Sequence, residues 1–415
     1  MGGISIQADG LLKNATTDVL SNLSHLRLRT LHKVPSELND AVPLRKVSLR
    51  VVDEALAASC KESKPLPEEM LFLGGLQGIR YVFVYPEQRD IVLVGPAEGW
   101  KVDRRGNVVG LTTGRPVMLL DDLLVALRTA ASAARTGITC SIDPTPEGVR
   151  QLRSHVSTLR TIGNADETAA GIEQALGMQQ ITFTGVPATS HFAGVLIAAD
   201  YRMKRLAMNF DPSPVRGLPS FLQMINVGGR GMSNVMQRWW LEPMYESVLR
   251  APDGLAWELR GADVKCMTEE GFLATNGSRE QLGHPNPLAQ KWADNMTAHY
   301  AELAVAEPVF GELRNCMELA VVGTLIWREH LTDRAGFNLP ALMDDTAFKS
   351  MELIAPKQVE SKASMLKRGR NWIISASGGV AIRSLEIVAK AQPSDAPAGA
   401  RAKAVSSIAG RWFWN

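Results

Sequence analysis

The 415-residue chain contains no apolar run long enough to span a bilayer, which predicts no transmembrane segment. It has almost no excess of one charge. The 45 basic and 43 acidic residues leave a net charge of +2, so charge alone draws it neither to nucleic acid nor to an anionic membrane. The first residues, MGGISIQ, lack a basic region followed by an apolar core, and no signal peptide is legible there. Cysteine is scarce: Cys60, Cys140, Cys266 and Cys316 are far apart and form no CxxC pair. Two disulfides in three connectivities are open to them, as is a role as four small apolar thiols. The sequons at Asn14, Asn22, Asn276 and Asn295 carry meaning only in a glycosylating secretory pathway. The common catalytic strings are absent too: no phosphate-loop GxxxxGKS/T, no HExxH, no GxSxG and no EF-hand loop. No metal or cofactor is therefore expected.

What the chain does have is one turn written twice, Asp143-Pro144-Thr145-Pro146 and Asp211-Pro212-Ser213-Pro214. Proline stops strand pairing and forces its predecessor out of helix, so both copies are firm punctuation. Each follows a helical pattern and an apolar run, which predicts two βαβ-like units. The first joins a strand at 116–120, a helix at 121–134 capped by Asp121, and a strand at 137–142. The second joins 181–184, a helix at 190–204 and 206–210. Two hairpin modules flank them. Residues 81–85 and 91–94 alternate around PEQRD, with a further pair at 100–102 and 107–109. The strings 238–243 and 251–257 repeat that spacing, Pro86 to Trp100 against Pro243 to Trp257.

Helices are predicted at 15–33, after Thr16 and Thr17, and at 48–61. The C-terminal third reads as helices at 286–306 and 308–331, with Pro308 in the first turn of the second. A strand pair around Gly378-Gly379 follows. The predicted class is α+β with a mixed sheet. The segments are 1–75 as a helical layer, 76–215 with the first hairpin and both units, and 216–285 as the second hairpin module. Then come 286–389 as the helical part with the final strand pair, and 390–415 as linker and aromatic tail.

Long strings resemble an uncharacterised domain-of-unknown-function family of planctomycete bacteria. They are 81–101 (YVFVYPEQRDIVLVGPAEGWK), 114–128, 141–148 (SIDPTPEG), 185–208, 309–322 and 371–380, so the resemblance spans most of the chain. It implies export behind an N-terminal signal, from which this chain's start departs, and it brings no catalytic residues.

Candidate chemistry concentrates on the predicted 190–204 helix. His191 sits at its N-terminus, where the dipole lowers an imidazole pKa, and with Asp200 and Tyr201 it is the expected catalytic set. Arg202, Lys204 and Arg205 crowd the other end, where cations are favoured without any function. The ends lie roughly 18 Å apart at a rise of about 1.5 Å per residue, so one small ligand does not reach both. Gly228-Gly229-Arg230-Gly231 offers backbone N–H groups to an anion, making Gly229, Arg230 and Gly231 the expected anion site with those three cations. A flexible loop reads equally well from that string. Trp239, Trp240 and the terminal Trp412-Phe413-Trp414 are the expected interface residues; the same tryptophans fit a core. His284, His299 and His330 find no local metal partners.

The leading functional expectation is a non-enzymatic structural or interaction protein of the cell envelope, self-associating or binding a protein partner. The alternatives are a hydrolase of unrecognised type, and a ligand-binding protein with its site between the two units near 185–191 and 228–231.

Overall fold

The computed structural model describes residues 4–14, 34–103, 106–158, 164–225, 236–273, 279–281, 287–345, 348–350, 352–363, 376–404 and 411–415. The expected helix at 15–33 and the glycine loop 228–231 lie outside the described residues. Eighteen strands are found among the described residues. They are β1 (Ile4–Ile6), β2 (Leu11–Asn14), β3 (Val42–Ser48), β4 (Tyr81–Tyr85), β5 (Asp90–Ala97) and β6 (Trp100–Val102). Next come β7 (Val108–Gly110), β8 (Ile138–Pro144), β9 (Met178–Thr184), β10 (Met236–Met244), β11 (Ser247–Arg250) and β12 (Ala256–Arg260). The last are β13 (Asp263–Leu273), β14 (Arg279–Gln281), β15 (Gln358–Glu360), β16 (Ala376–Ile382), β17 (Gln392–Pro393) and β18 (Phe413–Trp414). The longer helices are α1 (Leu49–Glu62), α2 (Leu120–Thr136), α3 (Pro146–Thr158), α4 (Ala165–Leu176) and α5 (His191–Ala207). In the last third they are α6 (Pro287–Ala298), α7 (Tyr300–Ala306), α8 (Pro308–Arg328) and α9 (Ala396–Lys403).

The class is α+β with mixed sheets. A nine-stranded sheet runs β1-β2-β15-β9-β8-β16-β10-β13-β14, and a seven-stranded sheet runs β17-β11-β12-β4-β5-β3-β18. The pairs β2–β15, β10–β16 and β11–β17 are parallel, and the other pairs in these sheets are antiparallel. Both sheets draw strands from several of the five sequence segments. At the centre of the larger sheet, Gly379 lets β16 approach its neighbour closely, since a Cβ there would lie 1.9 Å from the Cys140 carbonyl oxygen.

Helix α8 is the axis of the core. Eighteen of its residues, from Pro308 to Ile326, are buried, and it packs on α2 and α5. Pro308 occupies the first turn as its missing N–H predicts. Ser190 caps α5 by accepting from the Ala193 N–H at 3.1 Å, and Ser48 caps α1 from Val51 at 3.1 Å. β4 shows why the seven-stranded sheet is apolar on both faces: Val82 and Val84 join the main core, while Tyr81, Phe83 and Tyr85 face a second cluster with Ala404.

The structure corrects several expectations. Asp121 lies in the first turn of α2, whose N-cap is Leu119. The run 116–120 makes a single bridge, Val109 to Pro116, before the helix starts at Leu120. The run 206–210 is the end of α5 and a turn: the N–H groups of Met208 and Phe210 reach back to the carbonyls of Lys204 and Arg205. Each unit therefore keeps one strand and one helix, and β8 pairs directly with β9. The second hairpin is β11–β12, not 238–243 with 251–257. β10 instead runs between β13 and β16 in the other sheet. Of the expected last strand pair only β16 lies among the described residues, and 396–403, read as linker, form α9.

The aromatic terminus docks on its own chain. Phe413 and Trp414 pair with Val47 and Lys46 of β3, and Trp414 Nε1 donates to the Ala404 carbonyl at 3.1 Å. Arg45, fully buried, ties this end down. Its Nε donates to Asn415 Oδ1 at 2.9 Å, Nη1 to the Gly74 carbonyl at 2.6 Å, and the guanidinium lies 5.9 Å from the Phe413 ring. Burial lowers its pKa to about 10, still well charged at neutral pH. Arg45→Ala orphans buried carbonyls and frees the terminal strand. The expected cost is about 3 kcal/mol in urea unfolding, with hydrogen exchange accelerated at Val47 and Ser48.

Candidate functional site

The expected catalytic residues all stand on α5 but do not converge. His191 Nδ1 lies 3.0 and 3.1 Å from the two carboxylate oxygens of Asp122, in the first turn of α2. Burial pushes the imidazole pKa down. The charge and hydrogen bond of Asp122, with the charge of Glu312, outweigh it, so the net shift is upward, opposite to the lowering expected from the helix dipole. Cys316 of α8 also bonds Asp122, and burial with that neighbour raises its thiol well above the usual range. Aspartate stands between imidazole and thiol here. Nothing activates the sulfur, and the trio works as a polar link between three packed helices.

Asp200 is fully buried and accepts from Lys204 Nζ at 2.8 Å, one turn further on. Tyr201 is half-buried, with the Arg205 guanidinium 5.7 Å from its ring. Arg202 and Arg205 both bind Asp211 of the second proline turn, and Arg202 Nη2 also reaches Glu307 at 2.8 Å. Asp211 thereby fixes the chain as it leaves α5, and Tyr201, Lys204 and Arg205 together line a small pocket between α5 and β15. Trp239 is wholly enclosed, edge-on to Phe221 and Trp292 at 5.1 and 4.9 Å, and an interface role is closed to it. Trp240 is half-buried and donates to Glu242 at 2.6 Å.

Polar groups converge elsewhere. A cleft of about 460 Å³ opens where the two sheets meet, at the Gly261-Ala262 turn that carries the chain from β12 to β13. Its walls include Gly78, Ile79, Arg115, Asp263, Arg314 and Glu318. Glu318, from the buried middle of α8, is 4% exposed; its Oε2 accepts from the Ile79 N–H at 2.7 Å. Gly78 makes that approach possible, since a Cβ there would sit 3.3 Å from Oε2. The nearest cation is Arg314, one turn away on α8, with Nε 3.9 Å from Oε1, beyond hydrogen-bond reach. Burial therefore prevails over Arg314, the Ile79 N–H and Arg115, and Asp263 adds to it: the carboxyl pKa rises to about 7. Tyr245, whose buried hydroxyl has no hydrogen-bond partner among the described residues, is pushed well up by burial and by Glu318.

Arg115 makes no side-chain hydrogen bond or ion pair among the described residues. Burial and the charge of Arg314 lower its pKa, against Glu318, Asp263 and Glu98. Glu98, the third acid near it, is occupied by the N–H groups of Thr112 and Thr113 at 2.8 and 2.9 Å. Despite burial, those bonds and the Thr113 hydroxyl hold its pKa at about 2. The cleft thus brings together two incompletely neutralised guanidinium groups and a carboxyl that titrates near neutrality.

Residues 140–221 match a family described as "Protein of unknown function (DUF1598)". The match is narrower than the resemblance read from the sequence, which spans most of the chain. No curated protein and no solved structure matches. The matched part carries β8, both proline turns and α5, and none of the cleft residues named above. Among the described residues no group of three or more His, Cys, Asp and Glu could hold a metal ion, and no helix is long and apolar enough to cross a membrane. None of the four cysteines forms a disulfide, and Cys140, Cys266 and Cys316 are buried.

Sequence reasoning passed over the cleft, although a signal was there. Arg314 and Glu318 are charged residues at i and i+4 inside VFGELRNCMELAVVGTLI, a run buried along nearly its whole length. Ionisable groups in such a place demand a reason.

Proposed function

We propose that this is a small-molecule-binding protein whose cleft takes an anionic ligand between Arg115 and Arg314. One observation carries the reading: two of the arginines that line the cleft, Arg115 and Arg314, are hydrogen-bonded to no carboxylate among the described residues. Ligand sites combine concave walls with a few convergent polar groups and shifted pKa values, and this cleft has each. The sign of the ligand follows from the charges. Two guanidinium groups supply positive charge, whereas burial raises the Glu318 carboxyl to about 7 and so favours its neutral form. A carboxylate entering there repels the Glu318 anion and favours its protonated form. Binding is then linked to proton uptake, and affinity falls as pH rises through about 7.

Isothermal titration of the full chain with small carboxylates at pH 6 and pH 8.5 tests this. Arg115→Ala and Arg314→Ala are each expected to weaken binding about 10- to 100-fold, the range for a lost charge-assisted hydrogen bond. Binding that ignores both substitutions would sink the proposal.

A structural or self-associating role is the second reading, favoured by one observation: among the described residues the end strands β1 and β14 of the nine-stranded sheet each pair on one side only. Unpaired edges recruit further strands. Planctomycete origin, export and an envelope location belong to this reading, on the strength of the resemblance outside residues 140–221. Native mass spectrometry showing only the 45.1 kDa monomer would remove self-association.

A further inference from the structure

The cleft has an outer charged rim as well as its inner pair. Arg80 and Arg260 line it, with side chains 55% and 43% exposed, and both pair with the Glu258 carboxylate. Glu258, 2% exposed, takes Arg80 Nη2 at 3.3 Å on Oε1 and Arg260 Nη2 at 2.8 Å on Oε2, and accepts the Tyr81 hydroxyl at 3.1 Å. One carboxylate cannot occupy every N–H of two guanidinium groups, so the rim keeps N–H groups to spare. Two acids in the cleft are free of ion pairs among the described residues. Asp263 accepts only the Val264 N–H, at 2.9 Å, and Glu246 is exposed beside Gly261, where a Cβ would meet its side chain at 2.3 Å.

The cleft wall carries two arginine pairs, Arg115 with Arg314 inside and Arg80 with Arg260 at the rim, and the acids Asp263 and Glu246 also line it. Resting on the cleft being the ligand site, we infer that its ligand is an amino-dicarboxylic acid. One carboxylate lies between Arg115 and Arg314, the second meets Arg260 and Arg80 at the rim, and the ammonium faces Asp263 and Glu246. A ligand of that class has two negative groups for the two arginine pairs and one positive group for the two acids. A simple monocarboxylate leaves the rim and both acids unanswered. A dicarboxylate without the amine sets its second charge beside unpaired acids, and such mismatches are what selects between ligands.

The test is calorimetric titration of the full chain at pH 6 with L-glutamate, glutarate and butyrate. Glutamate is expected to bind about tenfold tighter than glutarate, and glutarate about tenfold tighter than butyrate. Arg260→Gln, which leaves Glu258 its bonds to Arg80 and Tyr81, is expected to weaken glutamate about tenfold and leave butyrate unchanged. Glu246→Gln is expected to weaken glutamate and strengthen glutarate. If the three acids bind equally and Arg260→Gln changes nothing, this inference falls while the anion site stands, provided that Arg115→Ala still weakens binding about 10- to 100-fold. If none binds, both fall together.

Discussion

Glu318→Gln is expected to make the protein more stable at pH 8.5, by about 3 kcal/mol, while leaving its stability at pH 4.5 nearly unchanged. The sign follows from linkage. Burial raises the folded-state pKa to about 7 from the usual 4.5, so the folded state binds the proton more tightly than the unfolded one. The stabilisation is complete below about pH 4.5 and is lost as pH rises through about 7, where the buried carboxylate must ionise. Glutamine cannot ionise, and its amide oxygen can still accept from the Ile79 N–H. The size is the span from 4.5 to 7 at about 1.36 kcal/mol per pH unit. Arg314 argues for a smaller effect, because it stabilises the anion; its 3.9 Å separation limits that help, and the upward shift already includes it. Urea unfolding of both forms across this range reads the difference directly. Equal stability at pH 8.5 would mean that Glu318 ionises without cost, and the proton-linked account of the cleft would go with it. The same substitution is expected to flatten the pH dependence of carboxylate binding at its low-pH level.

Much of the fold is legible where the sequence pattern is local. The β4–β5 hairpin follows from alternation around Pro86, α8 from Pro308 and its apolar spacing, and α5 from Ser190 and the helical stripe after it. What escapes is partner choice. Residues 206–210 form an apolar run suited to a strand, yet their N–H groups close the end of α5, so burial rather than pairing accounts for their composition. β10 carries the same proline and aromatic pattern as β4 but lies in the other sheet, since spacing along the chain does not specify which edge is free. The site escaped for a related reason. His191, Asp200 and Tyr201 stand out as reactive types close in sequence, but their partners are structural. Arg115, Asp263 and Glu318 lie far apart along the chain, and only the sheet junction over α8 brings them together.

Asp200→Ala is expected to cost about 3–5 kcal/mol, a large part of a typical domain's 5–15 kcal/mol. Asp200 is fully buried and Lys204 is 9% exposed; apart from the carboxylate, Lys204 Nζ has among the described residues only the Gly378 carbonyl, at 3.3 Å. Removing the aspartate leaves an ammonium in the core with one weak acceptor. Lys204→Met leaves the opposite charge, and pH then decides the outcome. Burial raises the Asp200 pKa against the pull of Lys204, so without the lysine the carboxyl can stay protonated in acid and must ionise as pH rises. Lys204→Met is therefore mild at low pH and severe at high pH. Asp200→Leu combined with Lys204→Met removes both charges and is expected to cost far less than the two single changes added together. The coupling separates a packing role from the catalytic one first expected of Asp200. A catalytic aspartate leaves stability nearly untouched when replaced, because its work is done on the ligand. A double-mutant cycle in urea with coupling below about 1 kcal/mol would reopen that possibility. Strong coupling would mark the pair as part of the frame that holds α5 against β16.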